Sequence, residues 1–445
     1  MALYMKPLLI PLILLSSLCC FSQEGRYYKS IEEGLEHPEK VYNLTITWKN
    51  LTEFPEELIK FKNLKFLNLS RNKITTVPEW IGQLSQLEII NLKHNEIYDI
   101  PESIGNLSEL KDLALSYNDL GYLPSNIKKL KKLNALRIIN NDLEEFPEDI
   151  LELTNLEHLS LSENKIPSIP TGIKNLIHLT DLQLEKNRIE VLPKEIGELS
   201  NLQELRLNNN RIQSIPEDIS KLSKLKVLYL DSNKLEVIPE SIGNLVKLET
   251  LSLNYNNLST LPGSVGKLEQ LTHLQLIRNY NFSEFPSEIG NLKSLRDLRL
   301  TNSKNIKSIP ESLSQLKSLE VLALGWCENL GFPDVILSIE NLEHLELSSN
   351  NISEIPEDIG QLKKLTRLLL NNNKITTLDE ACILDQLKTL ELNNNLLKSI
   401  PECILNMQRL KRLDLSWNKI RKKDIKKFEP QLSKFINELS IQRQN

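Results

Sequence analysis

The chain has 445 residues, 40% apolar and 25% charged, with 54 basic side chains against 59 acidic ones, a composition that supports a large folded core and excludes disorder. A net charge of −5 spread along the chain leaves no basic face to neutralise phosphates and argues against a nucleic-acid partner. Only five cysteines occur, two of them within the first 20 residues, which excludes a small disulfide-dense scaffold.

Residues 1–22 read as a secretory signal peptide. Lys6 precedes an apolar run from Leu8 to Leu18, and Cys20 and Ser22 lie just before a cleavage point ahead of Gln23. The run falls well short of the roughly 20 residues a bilayer span needs. Lipidation at Cys19 or Cys20 is the poorer reading, because Leu18 and Cys19 are not the small residues that usually precede a lipidated cysteine. No later stretch is apolar enough to span a membrane. The mature chain is therefore expected outside the cytoplasm, either secreted, periplasmic or at the cell surface. Residues 23–40 form an N-terminal cap: Ser30-Ile31-Glu32-Glu33 is a capping-box pattern, and it predicts a short helix that covers the first unit with Ile31 and Leu35.

From residue 41 to 420 the chain repeats. Ten prolines recur at one constant step, Pro55, Pro78, Pro101 and so on to Pro262. Pro286 and Pro310 follow after slightly longer steps, Pro333 and Pro356 return to the first spacing, Asp379 takes the next place, and Pro401 comes after a shortened step. Six positions before most of these prolines stands an asparagine, in every repeat from Asn72 to Asn256 and again at Asn350 and Asn395. The stretch leading to each reads Leu-x-x-Leu-x-Leu-x-x-Asn, as in Leu202, Leu205, Leu207 and Asn210. Alternation of Leu-x-Leu on a period of two predicts a strand with its leucines buried. No single unit can bury its own face, so stability must come from stacking. An asparagine amide both donates and accepts, so a column of them suits the turns that leave the strands; Lys49, Ser303 and Cys327 replace it. The following Pro-Glu-x-Ile-Gly segment predicts a short helical turn on the outer side, with proline at its first position. Residues 421–445 place Ile425, Phe428, Leu432, Phe435 and Leu439 at helical spacing among lysines, which predicts a closing helix and tail, kinked near Pro430.

This pattern resembles the leucine-rich repeat family over about 17 units. The resemblance implies an α/β solenoid, a horseshoe with a parallel sheet on its concave face and short helical turns on the convex face. With strands about 4.8 Å apart the inner arc would run about 80 Å. The form of the repeat, with Ile-Pro-x-x-Ile-Gly, is similar to that of intracellular Ras-group scaffolds and of secreted bacterial members. The family implies binding of a protein or peptide on the concave face and supplies no transferable contact residues. A glycan is the other partner class considered, an intracellular signalling scaffold is the competing reading, and the oligomeric state stays open.

No chemistry-bearing constellation accompanies the repeat. His37, His94, His158, His178, His273 and His344 are scattered without metal-ligand spacing, and no phosphate-cradling glycine loop or nucleophile elbow occurs. The chain is read as a non-enzyme with no cofactor, no metal and no catalytic residue. Cys382 and Cys403 lie at near-equivalent outer positions of neighbouring units; slight misregister favours two free thiols over a bond. Cys327 is expected to be a buried spacer. If the strand leucines face inward, the third, fifth, seventh and eighth positions of each motif are free for a partner. Arg206, Tyr229, Tyr255, His273, Arg278, Arg299 and Trp326 occupy such positions in six consecutive units and are residue types common in binding hot spots. Both lengthened steps fall here, near Tyr280 and Lys304, where an altered curvature or an extruded loop is expected. Further candidates lie around Trp48, Phe66, Arg71 and His94, and around Arg367, Arg412 and Trp417.

Overall fold

A computed structural model describes residues 26–328 and 330–441; the expected signal at 1–22 and the lipidation question at Cys19 and Cys20 lie outside the described residues. The chain divides into two compact units, Met1–Asp142 and Leu143–Asn445. Each is an open solenoid. In the first, short strands at Asn43–Thr45, Phe66–Asn68, Ile89–Asn91, Asp112–Ala114 and Ala135–Arg137 pair in chain order, all parallel. In the second, the same arrangement runs through twelve repeats, from His158–Ser160 to Arg412–Asp414.

Every strand has the same internal logic. Its central residue, isoleucine in Ile89–Asn91 and leucine in the others, is buried and its two neighbours are mostly half-buried, as alternation on a pleated strand requires. In the register Leu205, Leu228, Leu251 the central leucines stand in line, and each is fully buried. Leu207, Ile212, Ile219 and Leu222 are fully buried as well, so the core lies between the strands and the outer turns. The inward assignment of the leucines therefore holds.

The asparagine column does what its amide permits. Asn210 Nδ2 donates to Leu184 O at 2.9 Å and Leu207 O at 3.0 Å, and its Oδ1 accepts from Ile189 N at 3.0 Å. One side chain thus satisfies three backbone groups in two repeats, groups that burial would otherwise leave unpaired. Ser303 retains a single bond, from Oγ to Asn279 O at 3.1 Å. Cys327 is fully buried, and burial pushes its thiol up to about 12, consistent with a spacer rather than a nucleophile.

The outer segments are short 3-10 turns, such as Glu217–Lys221. Proline sits one place earlier than expected, just before the first helical residue: Pro216 is extended, and its carbonyl accepts from Ile219 N at 3.0 Å. Glycine after the buried isoleucine lets successive turns touch through their backbones. A Cβ on Gly243 would lie 2.4 Å from Ser264 O.

The two lengthened steps leave the strands in phase, with His273, Asp297 and Val321 in register. Each additional residue is absorbed after the column position by a tight turn, closed by Phe282 N to Asn279 O at 3.0 Å and by Ile306 N to Ser303 O at 3.3 Å. Tyr280 is left exposed.

At the amino end, Ser30 Oγ accepts from Glu33 N to start the helix Ile31–Leu35. Ile31 and Leu35 are only half-buried; Gly34 and Tyr28 are the buried contacts, and Tyr27–Tyr28 adds a short strand. At the carboxyl end the helix Lys422–Leu432 contains Pro430 and buries Phe428 and Leu432. The helical periodicity does not continue beyond it. The chain returns as the strand Glu438–Ser440 beside Arg412–Asp414, with Ile436 and Ile441 buried on either side.

The expectation of two free thiols at 382 and 403 is corrected: Cys382 and Cys403 form a disulfide, with Cα atoms 5.8 Å apart. The misregister is taken up at Asp379, which adopts α-helical angles where the prolines of the neighbouring repeats, Pro356 and Pro401, are extended. Cys382 N consequently donates to Asp379 O at 3.1 Å, and the shortened turn Glu380–Ile383 brings the two sulfurs together.

Candidate functional site

The seven residues singled out by position all lie in the carboxy-terminal unit, on or just after consecutive strands from Glu204–Arg206 to Val321–Ala323. They face away from the leucine core. Two pairs come together one repeat apart. The Arg206 guanidinium lies 5.4 Å from the Tyr229 ring centroid, and that of Arg278 lies 5.0 Å from Tyr255, within cation–π range. Burial raises the Tyr229 hydroxyl above its ordinary range. Arg299 is committed to Asp297 through two 2.8 Å bonds, which hold its pKa up, and Arg206 also donates from Nε to Glu204 Oε1 at 2.6 Å. His273 Nδ1 lies 2.8 Å from Thr272 Oγ1. Trp326 is exposed, while Ala323 and Gly325 before it are buried, with the Glu346 carboxylate lying over Gly325.

The eighth position of each repeat has a backbone character that sequence pattern did not reveal. Trp48, Arg71, His94, Tyr117, Tyr255, Arg278, Trp326 and Trp417 all have φ between 56° and 62°. Bulky residues seldom take this left-handed conformation. The turn out of the strand imposes it in every repeat, and it fixes where these large side chains project.

Between the two cation–π pairs lies a polar network that sequence reasoning missed. Asp231 Oδ1 accepts from Ser252 Oγ at 2.5 Å and from Asn254 N at 2.8 Å, while Asn254 Nδ2 donates to Gln275 Oε1 at 3.0 Å and its Oδ1 accepts from Ile277 N at 2.7 Å. Burial holds the Asp231 carboxyl above the usual carboxylate range. Small polar residues carry no periodic signal; only the offset of exactly one repeat between Asp231 and Asn254 hints at the contact. Asp181 behaves similarly: burial, with Glu204 next to it, pushes its carboxyl up to about 6.

The other two candidate groups are also partly assembled. Arg71 lies 4.7 Å over Trp48, His94 stacks on Tyr117 at 4.3 Å, and Phe66 meets Tyr27 edge-on. Arg412 pairs with Glu391 at 2.8 Å and with Glu438, whereas Arg367 and Trp417 are exposed. Among the described residues no group of three or more His, Cys, Asp or Glu is placed to hold a metal ion, and no helix is long and apolar enough to cross a membrane.

The family model described as leucine-rich repeat region matches residues 101–184, 171–235 and 228–331. Two related repeat models match 39–97 and 363–420, and 340–381. No curated protein matches the chain. Among solved structures, a leucine-rich repeat protein of Leptospira interrogans is 30% identical, covering 92% of this chain and 98% of that one, with a TM-score of 0.66. The Arabidopsis receptor kinase HAESA ectodomain, in complex with an N-terminally extended IDA peptide hormone ligand, is 27% identical over 88% of this chain and 77% of its own, with a TM-score of 0.60. The functional domain of InlJ from Listeria monocytogenes is 22% identical over 76% of this chain and 70% of its own, with a TM-score of 0.63, and shares the fold.

Proposed function

Because the chain belongs to the leucine-rich repeat family, we propose that it is a non-enzymatic binding protein that takes a protein or peptide partner on the open face of its sheet. The observation that carries this reading is the run of large side chains on the repeats from Glu204 to Trp326, held in advance by Arg206 against Tyr229 and Arg278 against Tyr255. Groups fixed before association lose little entropy on binding, so a modest set of contacts suffices. The peptide ligand of the Arabidopsis ectodomain supports the class of partner. We further propose that the chain works outside the cytoplasm, secreted or at the cell surface. The disulfide between Cys382 and Cys403 supports an oxidising compartment.

Combined replacement of Tyr229, Arg278 and Trp326 by alanine tests the site. Partner capture by the purified mature chain should fall at least tenfold while the melting temperature stays within about 2 °C, since none of the three belongs to the core. Undiminished capture would move the contact elsewhere. Sequencing the mature amino terminus tests the location, with Gln23 as the expected first residue.

A further inference from the structure

The open face of the amino-terminal unit differs chemically from the patch just described. At the third, fifth, seventh and eighth positions of its five repeats stand three bases, Arg71, Lys93 and Arg137, and a single acid, Asp112. Asp112 is already paired with Arg137 at 2.5 Å. Among the described residues, Arg71 and Lys93 make no ion pair. Lys93 is half-buried, and burial together with the Arg137 charge lowers its pKa. Two cations are thus held side by side on the sheet outside any ion pair; the Asp112 charge acts on Lys93, but its carboxylate is taken by Arg137.

The flanking residues add a second feature. Trp48, Arg71, His94 and Tyr117 follow one another at the eighth position, with φ of 59°, 60°, 56° and 61°. The turn imposes this conformation, which costs of order 1 kcal/mol, in every repeat; what sets this end apart is that four successive repeats fill it with large side chains. In the carboxy-terminal unit the same position is often filled by Asn or Ser, as at Asn209, Ser232 and Asn302. The four side chains are ordered against each other, Arg71 over Trp48 at 4.7 Å and His94 parallel to Tyr117 at 4.3 Å. Trp48 nevertheless remains 70% exposed. Folding gains little from a tryptophan left in water, so the ring is available to a partner.

We propose that this column, Trp48, Arg71, His94 and Tyr117 with Lys93 beside it, binds an acidic peptide segment whose carboxylates meet Arg71 and Lys93 while its apolar side chains lie on the aromatic rings. The inference rests on the reading of the sheet's open face as the binding surface, and it names the partner chemistry at this end. Arg71 and Lys93 stand one strand and one residue apart, about 6 Å by sheet spacings, close to the roughly 6.7 Å between alternate residues on one side of an extended peptide. Two unpaired cations match one or two carboxylates. They are too few for the dense charge of a sulfated polysaccharide or a nucleic acid.

Fluorescence anisotropy of the full chain with a labelled ten-residue peptide carrying Glu or Tyr at every odd position and Ser at every even one, so that acids and rings share one side of an extended chain, tests this, with the Lys and Tyr counterpart and heparin as comparison probes. The acidic peptide should bind saturably and more weakly as salt rises, and the Lys peptide should not bind. Arg71→Ala with Lys93→Ala should weaken the acidic peptide at least about tenfold, as expected for loss of charge-assisted bonds. Trp48→Ala should weaken it several-fold without changing the salt dependence. The Tyr229, Arg278 and Trp326 replacement should leave this probe unaffected, so this site and the carboxy-terminal patch can fail separately. Absence of saturable binding, equal binding of the Lys peptide, or affinity unmoved by the double replacement would overturn the proposal. Heparin bound in place of the acidic peptide and released by the double replacement would likewise overturn it in favour of a polysaccharide.

Discussion

At the four free positions of the repeat, the five repeats of the amino-terminal unit carry three bases and one acid, whereas the twelve of the carboxy-terminal unit carry six bases and nine acids. Both sets stand on the same scaffold. Leu92 and Leu207 occupy the same buried position, and Asn95 makes the same pair of carbonyl bonds as Asn210. Fold and partner choice are therefore carried by different residues of one motif. Leucine and asparagine hold the strand and its exit turn, while residues that touch nothing in the core set the charge of the face. A partner can change without altering what holds the chain together.

If the scaffold is common to both units, the same truncation should act alike in each. Leu92→Ala and Leu207→Ala should each destabilise by about 2–5 kcal/mol, through lost burial and the cavity left behind. Denaturant unfolding of the two variants measures this. A near-zero cost in either unit would mean that its strand leucines do not form the core.

The disulfide is the clearest covalent difference between the units, and its removal should act on one of them. Reducing Cys382–Cys403, which are 21 residues apart, should remove about 3 kcal/mol of stability by freeing the unfolded loop. Hydrogen exchange in the presence of a reductant should rise around residues 379–406 and stay unchanged over 43–137. Uniform exchange across the chain would show that the bond contributes nothing local.

How far these features could be read beforehand depended on whether they repeat. The positions of Leu205, Leu207 and Asn210 are refilled in kind along the repeats, and a buried leucine or a bonded asparagine tolerates few replacements, so strand, core and column were legible. The stacked pairs Arg206 with Tyr229 and Tyr255 with Arg278 were half legible: the residues were found by position, but their mutual contact follows only once the strands of neighbouring repeats lie in register. The Asp231 network escaped because Ser252, Asn254 and Gln275 are polar residues unremarkable on an exposed strand. The disulfide escaped because it depends on the backbone angles of one non-repeating residue, Asp379. Glu438–Ser440 escaped because so short a lone strand offers too little alternation to outweigh the helical spacing before it.

The acid-rich face of the carboxy-terminal unit should leave a signature in pH that the amino-terminal unit lacks. Asp181 has its carboxyl pushed from 3.8 up to about 6, by burial first and then by Glu204, against the opposing pull of Arg206 and Gln183. A folded-state pKa raised above the unfolded value means that the fold favours the protonated carboxyl. Stability from this group is fully present below about pH 4 and is lost as the pH rises through the folded value near 6. Asp181→Asn keeps the acceptor that Gln183 Nε2 uses at 2.9 Å and removes the charge. The variant should therefore be more stable than the parent by about 2 kcal/mol at pH 7 and indistinguishable from it at pH 3.5. His344, which burial, Arg367 and Arg299 bring down to about 4, loses stability as the pH falls below 6.5, but it does so in parent and variant alike and cancels in the difference. Paired denaturant titrations across pH 3.5–7 measure that difference directly. A gap that stays constant with pH would mean that the Asp181 carboxylate is solvated as well as any surface acid, and that the face of this unit is open to water even between its strands.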